Sequence, residues 1–183
     1  MSSLTFHKLS WGQLEKDCLL LYPKIKDLQI DRLVSISRGG NVVSRIVSDL
    51  LGSLPISHIT ITSYEHTKKL RTPIITEEPT VSFKDMTTLI VDEVSDTGDT
   101  FHIAEKYFKK KNVKKIFTLA PYIKPHTHFK PDFWTKSIDA WIVFPYDIRE
   151  TADGFVKMFG SKGPARRKLL EIGFEEWELK GIV

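Results

Sequence analysis

The chain has one cysteine, Cys18, among its 183 residues. No intrachain disulfide can form, which excludes the stapled secreted folds and fits a reducing cytoplasm. Cys18 lies in an apolar helical stretch and reads as a buried structural thiol. Nowhere does the sequence approach the roughly 20 consecutive apolar residues that cross a bilayer. Met1 to Ser10 has no apolar core of the kind that directs secretion. Repeats, low-complexity tracts and metal-type Cys/His spacings are missing too. The six histidines are scattered, and the close pair His126 and His128 has no neighbouring carboxylate cluster or cysteine in sequence, so we read them as non-ligands. Charge of one sign is also scarce: 27 Lys and Arg against 23 Asp and Glu leave a net charge of +4. That balance is too mild to indicate nucleic acid, and no helix-turn-helix extension is legible. The short basic groups at Lys109–Lys111 and Arg166–Lys168 read as solvated faces.

What is present is an ordinary globular composition, 41% hydrophobic and 27% charged. We read one domain over residues 1–183, with a core at 32–147 and flanks, 1–31 and 148–183, forming a small hood or an oligomer contact. Ser10 can cap a helix from Trp11 to Lys26, kinked by Pro23. Strands are expected at Leu33–Ser37, His58–Thr62, Thr88–Asp92, Lys115–Pro121 and Ala140–Phe144, and helices at Asn41–Leu51, Thr100–Lys111 and Pro164–Ile172. Tyr64 to Lys84 shows little periodicity and reads as a long functional loop. Strand and helix alternate in the centre. The fold class is therefore α/β, with a mainly parallel central sheet flanked by helices.

The strongest signal is Leu89-Ile90-Val91-Asp92-Glu93-Val94-Ser95-Asp96-Thr97-Gly98-Asp99-Thr100. An apolar run leads into two adjacent carboxylates, then a hydroxyl-rich turn opens a helix. Open α/β sheets bind ligands at the carboxyl ends of such strands. The turn supplies amide N–H groups, threonine hydroxyls and a helix N-terminus, the elements of a phosphate seat. A second signal, Ser35-Ile36-Ser37-Arg38-Gly39-Gly40, ends the first strand, where a tight glycine turn can bind another phosphate group beside the Arg38 cation.

These two stretches resemble the phosphoribosyl-diphosphate (PRPP) signature and the pyrophosphate loop of type I phosphoribosyltransferases. The Ser-Arg-Gly-Gly turn is similar to that of the bacterial xanthine-guanine members. The resemblance implies that fold, and it gives Asp92 and Glu93 the ribose hydroxyls and Mg²⁺. Asp96, Thr97, Gly98, Asp99 and Thr100 would take the 5′-phosphate, and Asp96 would also serve as catalytic proton acceptor near the purine. Ser37, Arg38 and Gly39 would take pyrophosphate, with a non-proline cis peptide expected at that loop. Thr62-Ser63-Tyr64-Glu65-His66, followed by Lys68, Lys69 and Arg71, stands where the family has a lid over the reaction centre. Asp139 to Asp147 looks like the base-binding stretch. It implies that Trp141 stacks on the purine, that Ile142 reads its edge and that Asp147 belongs to the same site. Lys124 would donate to a 6-oxo group, which a 6-amino group cannot accept.

The implied enzyme converts PRPP and guanine, hypoxanthine or xanthine to a nucleoside 5′-monophosphate and pyrophosphate in purine salvage. It would be Mg²⁺-dependent, cytoplasmic and a homo-oligomer, a dimer or tetramer, with neither membrane nor nucleic acid as partner. Two alternatives stay open: another base such as adenine, or a regulator of the same fold that binds PRPP or nucleotide.

Overall fold

The computed structural model describes residues 5–65 and 68–183, with the side chains of residues 63–72 outside that description. In chain order the elements begin with β1 (Phe6–Lys8), α1 (Trp11–Leu19), α2 (Tyr22–Ile25), β2 (Arg32–Ser37) and α3 (Gly40–Leu50). There follow β3 (Ile56–Glu65), β4 (Lys68–Glu77), β5 (Thr87–Val91), β6 (Val94–Ser95), α4 (Asp99–Lys109) and β7 (Lys115–Leu119). The chain closes with β8 (Tyr122–Ile123), β9 (Lys136–Ser137), β10 (Trp141–Val143), α5 (Ile148–Phe159), α6 (Lys162–Glu171) and α7 (Glu176–Leu179). Residues 15–138 form one unit, and residues 1–14 with 139–183 form another.

The larger unit is built on a five-stranded sheet in the order β4-β3-β2-β5-β7. β2 pairs parallel with β3 and β5, β5 pairs parallel with β7, and β3 pairs antiparallel with β4. Alternate strand residues face opposite sides. Val34, Ile36, Ile59, Ile61 and Ile90 thereby share a core with Phe101, Ala104 and Phe108 of α4. α3 packs on β2, β3 and β5 and buries Val43 and Val47. Because β2 sends Val34 and Ile36 toward α4 and Ser35 toward Asn41 of α3, the two helices cover opposite faces. β5 is buried along its whole length, as a central parallel strand must be when helices cover both its faces.

Several expected elements are corrected. The helix after Ser10 is capped by its hydroxyl, which accepts the Gln13 amide at 3.1 Å, but it ends at Leu19. A separate turn, α2, takes Pro23 in its first turn, where the missing N–H is not needed. The expected loop over 64–84 contains β4. It was hidden because its pairing with β3 is broken by two register shifts, and because it lies at the sheet edge. An edge tolerates Pro73 and the polar residues around it. Ala140–Phe144 does not join the central sheet: β10 pairs parallel with β1, and the fifth place in the sheet belongs to β4. Leu9 N–H donates to Val143 O at 2.9 Å, so a polar, patternless strand supplies the partner.

The smaller unit has three helices after β10 where one was expected. Val143, Ala152, Phe155, Ala165, Leu169, Phe174 and Leu179 close its core. Ala152 and Phe155 are the buried turn-to-turn pair that positions α5, and α7 carries a Glu175–Glu178 capping box. Among the described residues, no helix is long and apolar enough to cross a membrane.

Candidate functional site

Two loops at the carboxyl ends of β2 and β5 come together. After β2 the chain turns through Ser37–Gly39 into α3, and the Ser37–Arg38 peptide is cis, as the resemblance implied. The turn is braced by Asn41, a residue the sequence reading passed over. Its Oδ1 accepts the hydroxyls of Ser35 at 2.6 Å and Ser37 at 3.1 Å, and lies 3.1 Å from Nδ1 of His58. Gly39 lies directly against Glu93: a Cβ there would overlap its carboxylate. At Gly40 a Cβ would stand 2.6 Å from the Val91 carbonyl oxygen. The glycines therefore permit the approach of α3 to the end of β5. An open cleft of about 690 Å³ runs beside this loop, with Arg38, Asn41 and His58 in its wall.

Asp92 is only 7% exposed. Its Oδ1 accepts the Glu93 amide at 3.0 Å, and its Oδ2 accepts the Thr100 hydroxyl at 3.3 Å. Burial first, and then the charge of Glu93, push the Asp92 carboxyl well above the usual carboxylate range. Glu93 Oε2 is buried without a hydrogen-bond partner among the described residues. A buried carboxylate oxygen without a donor costs free energy unless a hydroxyl or cation reaches it. Among the described residues, no three metal-type side chains cluster. Two carboxylates completed by substrate oxygens are nevertheless the usual way Mg²⁺ is held, so this donor set fits that ion.

The turn expected to seat a phosphate lies between β6 and α4. Gly98 is the N-cap residue of α4, at φ 97°, and a Cβ on it would meet Phe129. The first bond of the helix runs from His102 N–H to Gly98 O, which leaves the amides ahead of it without intrahelical partners. Both threonine hydroxyls are engaged with carboxylates here: Thr97 donates to Asp99 at 2.9 Å and Thr100 to Asp92. Asp99 does not cap the helix through its side chain; it occupies the first turn. The Thr97 hydroxyl, and after it His128, hold its carboxyl below the usual range.

The turn at 124–129 is the main feature that sequence reading missed. Lys124 N–H donates to Ser95 O and His128 N–H to Thr97 O, both at 3.0 Å, and the Ser95 hydroxyl donates to Phe129 O at 2.7 Å. Phe129 stacks on Phe101 with ring centres 5.3 Å apart. His126 Nε2 thereby comes 3.1 Å from Asp96 Oδ1, and His128 Nε2 comes 3.1 Å from Asp99 Oδ1. The carboxylates that the histidines lack in their own stretch of sequence are supplied by the β6–α4 loop.

Ser37, Arg38, Gly39, Asp92, Glu93 and Asp96–Thr100 thus gather in the larger unit, and Lys124 begins the turn bonded to them. Trp141, Ile142 and Asp147 lie in the smaller unit. Trp141 is 58% exposed on β10, Ile142 is buried, and Asp147 is the N-cap residue of α5, its carbonyl accepting the Thr151 amide at 2.9 Å. The side chains of the expected lid residues Ser63, Tyr64, Glu65, Lys68, Lys69 and Arg71 lie outside the described residues, as does His66.

A central parallel sheet with an acidic strand end, a glycine turn and a helix N-terminus side by side marks the class of α/β protein whose ligands bind at the carboxyl ends of the strands. Residues 13–151 match the phosphoribosyl transferase domain family. The chain belongs to that family, and within it to the purine phosphoribosyltransferases. A solved purine phosphoribosyltransferase from Pyrococcus horikoshii is 31% identical, with a TM-score of 0.70 over 77% of this chain and 93% of that one. The xanthine-guanine phosphoribosyltransferase of Idiomarina loihiensis is 27% identical over 143 residues, 76% of this chain and 86% of its own. The Helicobacter pylori xanthine-guanine-hypoxanthine phosphoribosyltransferase shares the fold at 24% identity, with a TM-score of 0.69 over 79% of this chain and 97% of that one.

Proposed function

We propose that this enzyme transfers the phosphoribosyl group of PRPP to a 6-oxopurine (guanine, hypoxanthine or xanthine), giving the nucleoside 5′-monophosphate and pyrophosphate in cytoplasmic purine salvage. The observation that carries the reading is the buried, unpartnered Glu93 oxygen beside Asp92, held against Gly39 of the Arg38 loop. It leaves acceptors for a vicinal diol next to amides and a guanidinium for the diphosphate. Ser37, Arg38 and Gly39 take the leaving pyrophosphate. The amides and hydroxyls of Thr97–Thr100 take the 5′-phosphate, the Thr97 and Thr100 hydroxyls turning from their carboxylates to do so. Asp92 and Glu93 would hold Mg²⁺, which when bound neutralises charge on the leaving group.

In the reaction the bond from C1′ to pyrophosphate oxygen breaks as the purine nitrogen bonds C1′ from the opposite face. The proton that the purine loses passes to Asp96. Catalysis is chiefly positioning and charge stabilisation. Lys124 donates to the 6-oxo group. The resemblance gives Trp141, Ile142 and Asp147 to base recognition, and the Trp141 indole is exposed, as a stacking face must be. Homo-oligomer formation belongs to the same proposal. Steady-state transfer from PRPP and Mg²⁺ to adenine, hypoxanthine, guanine, xanthine and orotate tests it, with Asp96→Asn alongside. Turnover of 6-oxopurines alone, lost in the variant, supports it. PRPP binding without turnover of any base overturns it in favour of a regulator.

A further inference from the structure

Asp96 and Asp99 place two carboxylates at a turn that we assign to a phosphate dianion. Like charges at such a site oppose ligand binding the more closely they approach the ligand, so what fixes the orientation of each carboxylate matters. The fold supplies one imidazole to each, from the same turn, His126 to Asp96 and His128 to Asp99. That turn is fixed where the imidazoles are rooted. Two main-chain bonds tie it to residues 95 and 97, the Ser95 hydroxyl meets Phe129 O, and the Thr127 and Ser95 hydroxyls lie 3.0 Å apart. The stacked Phe129 then closes on Gly98. By contrast, the Asp96 side chain is exposed, and His126 is its one hydrogen-bond partner among the described residues. An exposed carboxylate with two free torsions samples several rotamers, and a single anchored hydrogen bond selects one.

We propose that His126 is a positioning residue: its Nε2–H holds the Asp96 carboxylate in the orientation that accepts the purine proton. The inference rests on the proton-acceptor role proposed for Asp96. His126 touches no reacting atom. It acts by reducing the number of Asp96 orientations, so its effect belongs to the chemical step rather than to PRPP affinity. The same turn begins with Lys124, so base recognition and proton acceptance are set by one rigid segment.

The test is a double-mutant cycle read by single-turnover rates at saturating PRPP, Mg²⁺ and guanine, with KM for PRPP measured in parallel. His126→Ala is expected to slow the single-turnover step about tenfold and leave KM for PRPP within about twofold, a loss of the size expected for one charge-assisted hydrogen bond. His126→Gln, which keeps an N–H donor on a similar reach, is expected to recover most of the rate. In the Asp96→Asn background His126→Ala should add no further loss. Asp96→Asn slow with His126→Ala at full rate, or with the two losses multiplying, overturns the positioning role and leaves the proton-acceptor role standing. Asp96→Asn at full rate overturns the proton-acceptor role itself, and the inference with it. A thermal melt of each variant separates these outcomes from loss of fold.

Discussion

The fold resists a charge on Asp92. The residue is buried beside Glu93, and its carboxyl is pushed well above the usual range by burial and by that neighbour. Asparagine fits the same contacts. Its Oδ1 accepts the Glu93 amide, and its Nδ2 donates to the Thr100 hydroxyl that now donates to Asp92. As a general scale, two like unit charges about 4 Å apart repel by about 4 kcal/mol at an effective dielectric of about 20. Water and relaxation return part of that, so Asp92→Asn should stabilise the ligand-free protein by about 1–2 kcal/mol at neutral pH. For a chain of this length that raises Tm by about 2–8 °C. The pH dependence has a defined sign. Below about pH 3.9 the residue is protonated in both folded and unfolded states, and its burial carries no charge penalty. As pH rises toward the elevated folded value, the unfolded chain ionises first and wild-type stability falls. The advantage of asparagine therefore grows with pH and is full above the folded pKa. Thermal melts in EDTA, without PRPP, at about pH 4.5 and about pH 7.5 measure it. A variant less stable than wild type at the higher pH, or an advantage equal at both, would refute the reasoning. The same change should cost at least about tenfold in kcat/KM for PRPP, the usual conflict between site and stability.

Gly98→Ala meets both a left-handed backbone and Phe129, so it should destabilise by about 2–4 kcal/mol in denaturant melts and raise KM for PRPP. Lys124→Gln should raise KM for guanine by about 10- to 100-fold and leave KM for PRPP nearly unchanged, narrowing the preference over adenine. Phe101→Ala, which empties a fully buried site and unstacks Phe129, should cost about 3–5 kcal/mol by urea unfolding. The Cys18 thiol, pushed up to about 12 by burial, should resist a thiol reagent at neutral pH until urea unfolds the chain.

The parallel part of the central sheet was legible because its strands are apolar or β-branched, alternating in β3 and nearly continuous in β5, with helices of clear period between them. β5 and its acidic end could be read directly from Leu89-Ile90-Val91-Asp92-Glu93. β4 could not: an edge strand needs ladder bonds on one side only, and its register shifts erase the alternation that marks a strand. β1 was invisible for a related reason, since Phe6-His7-Lys8 acquires meaning only beside β10. The site divided in the same way. Motifs contiguous in sequence, the Arg38 turn and the Asp92–Thr100 run, could be found by order and spacing. Asn41 braces the turn from only four and six residues away, but an asparagine opening a helix carries no distinctive signal; His126 and His128 act across long sequence separations. His126 lies thirty residues from Asp96, and nothing in the local pattern ties the two together. A His-x-His pair one residue after a Lys-Pro turn was the available signal, and it carried no carboxylate of its own.

The central claim is one of coupling: pyrophosphate leaves only when a purine takes its place. The direct measurement follows pyrophosphate release and nucleotide formation together from PRPP and Mg²⁺, with guanine present and with no base. One pyrophosphate per guanosine monophosphate is expected, and almost none without guanine. Pyrophosphate released at the same rate without a base, or PRPP bound and neither product formed, would contradict the claim.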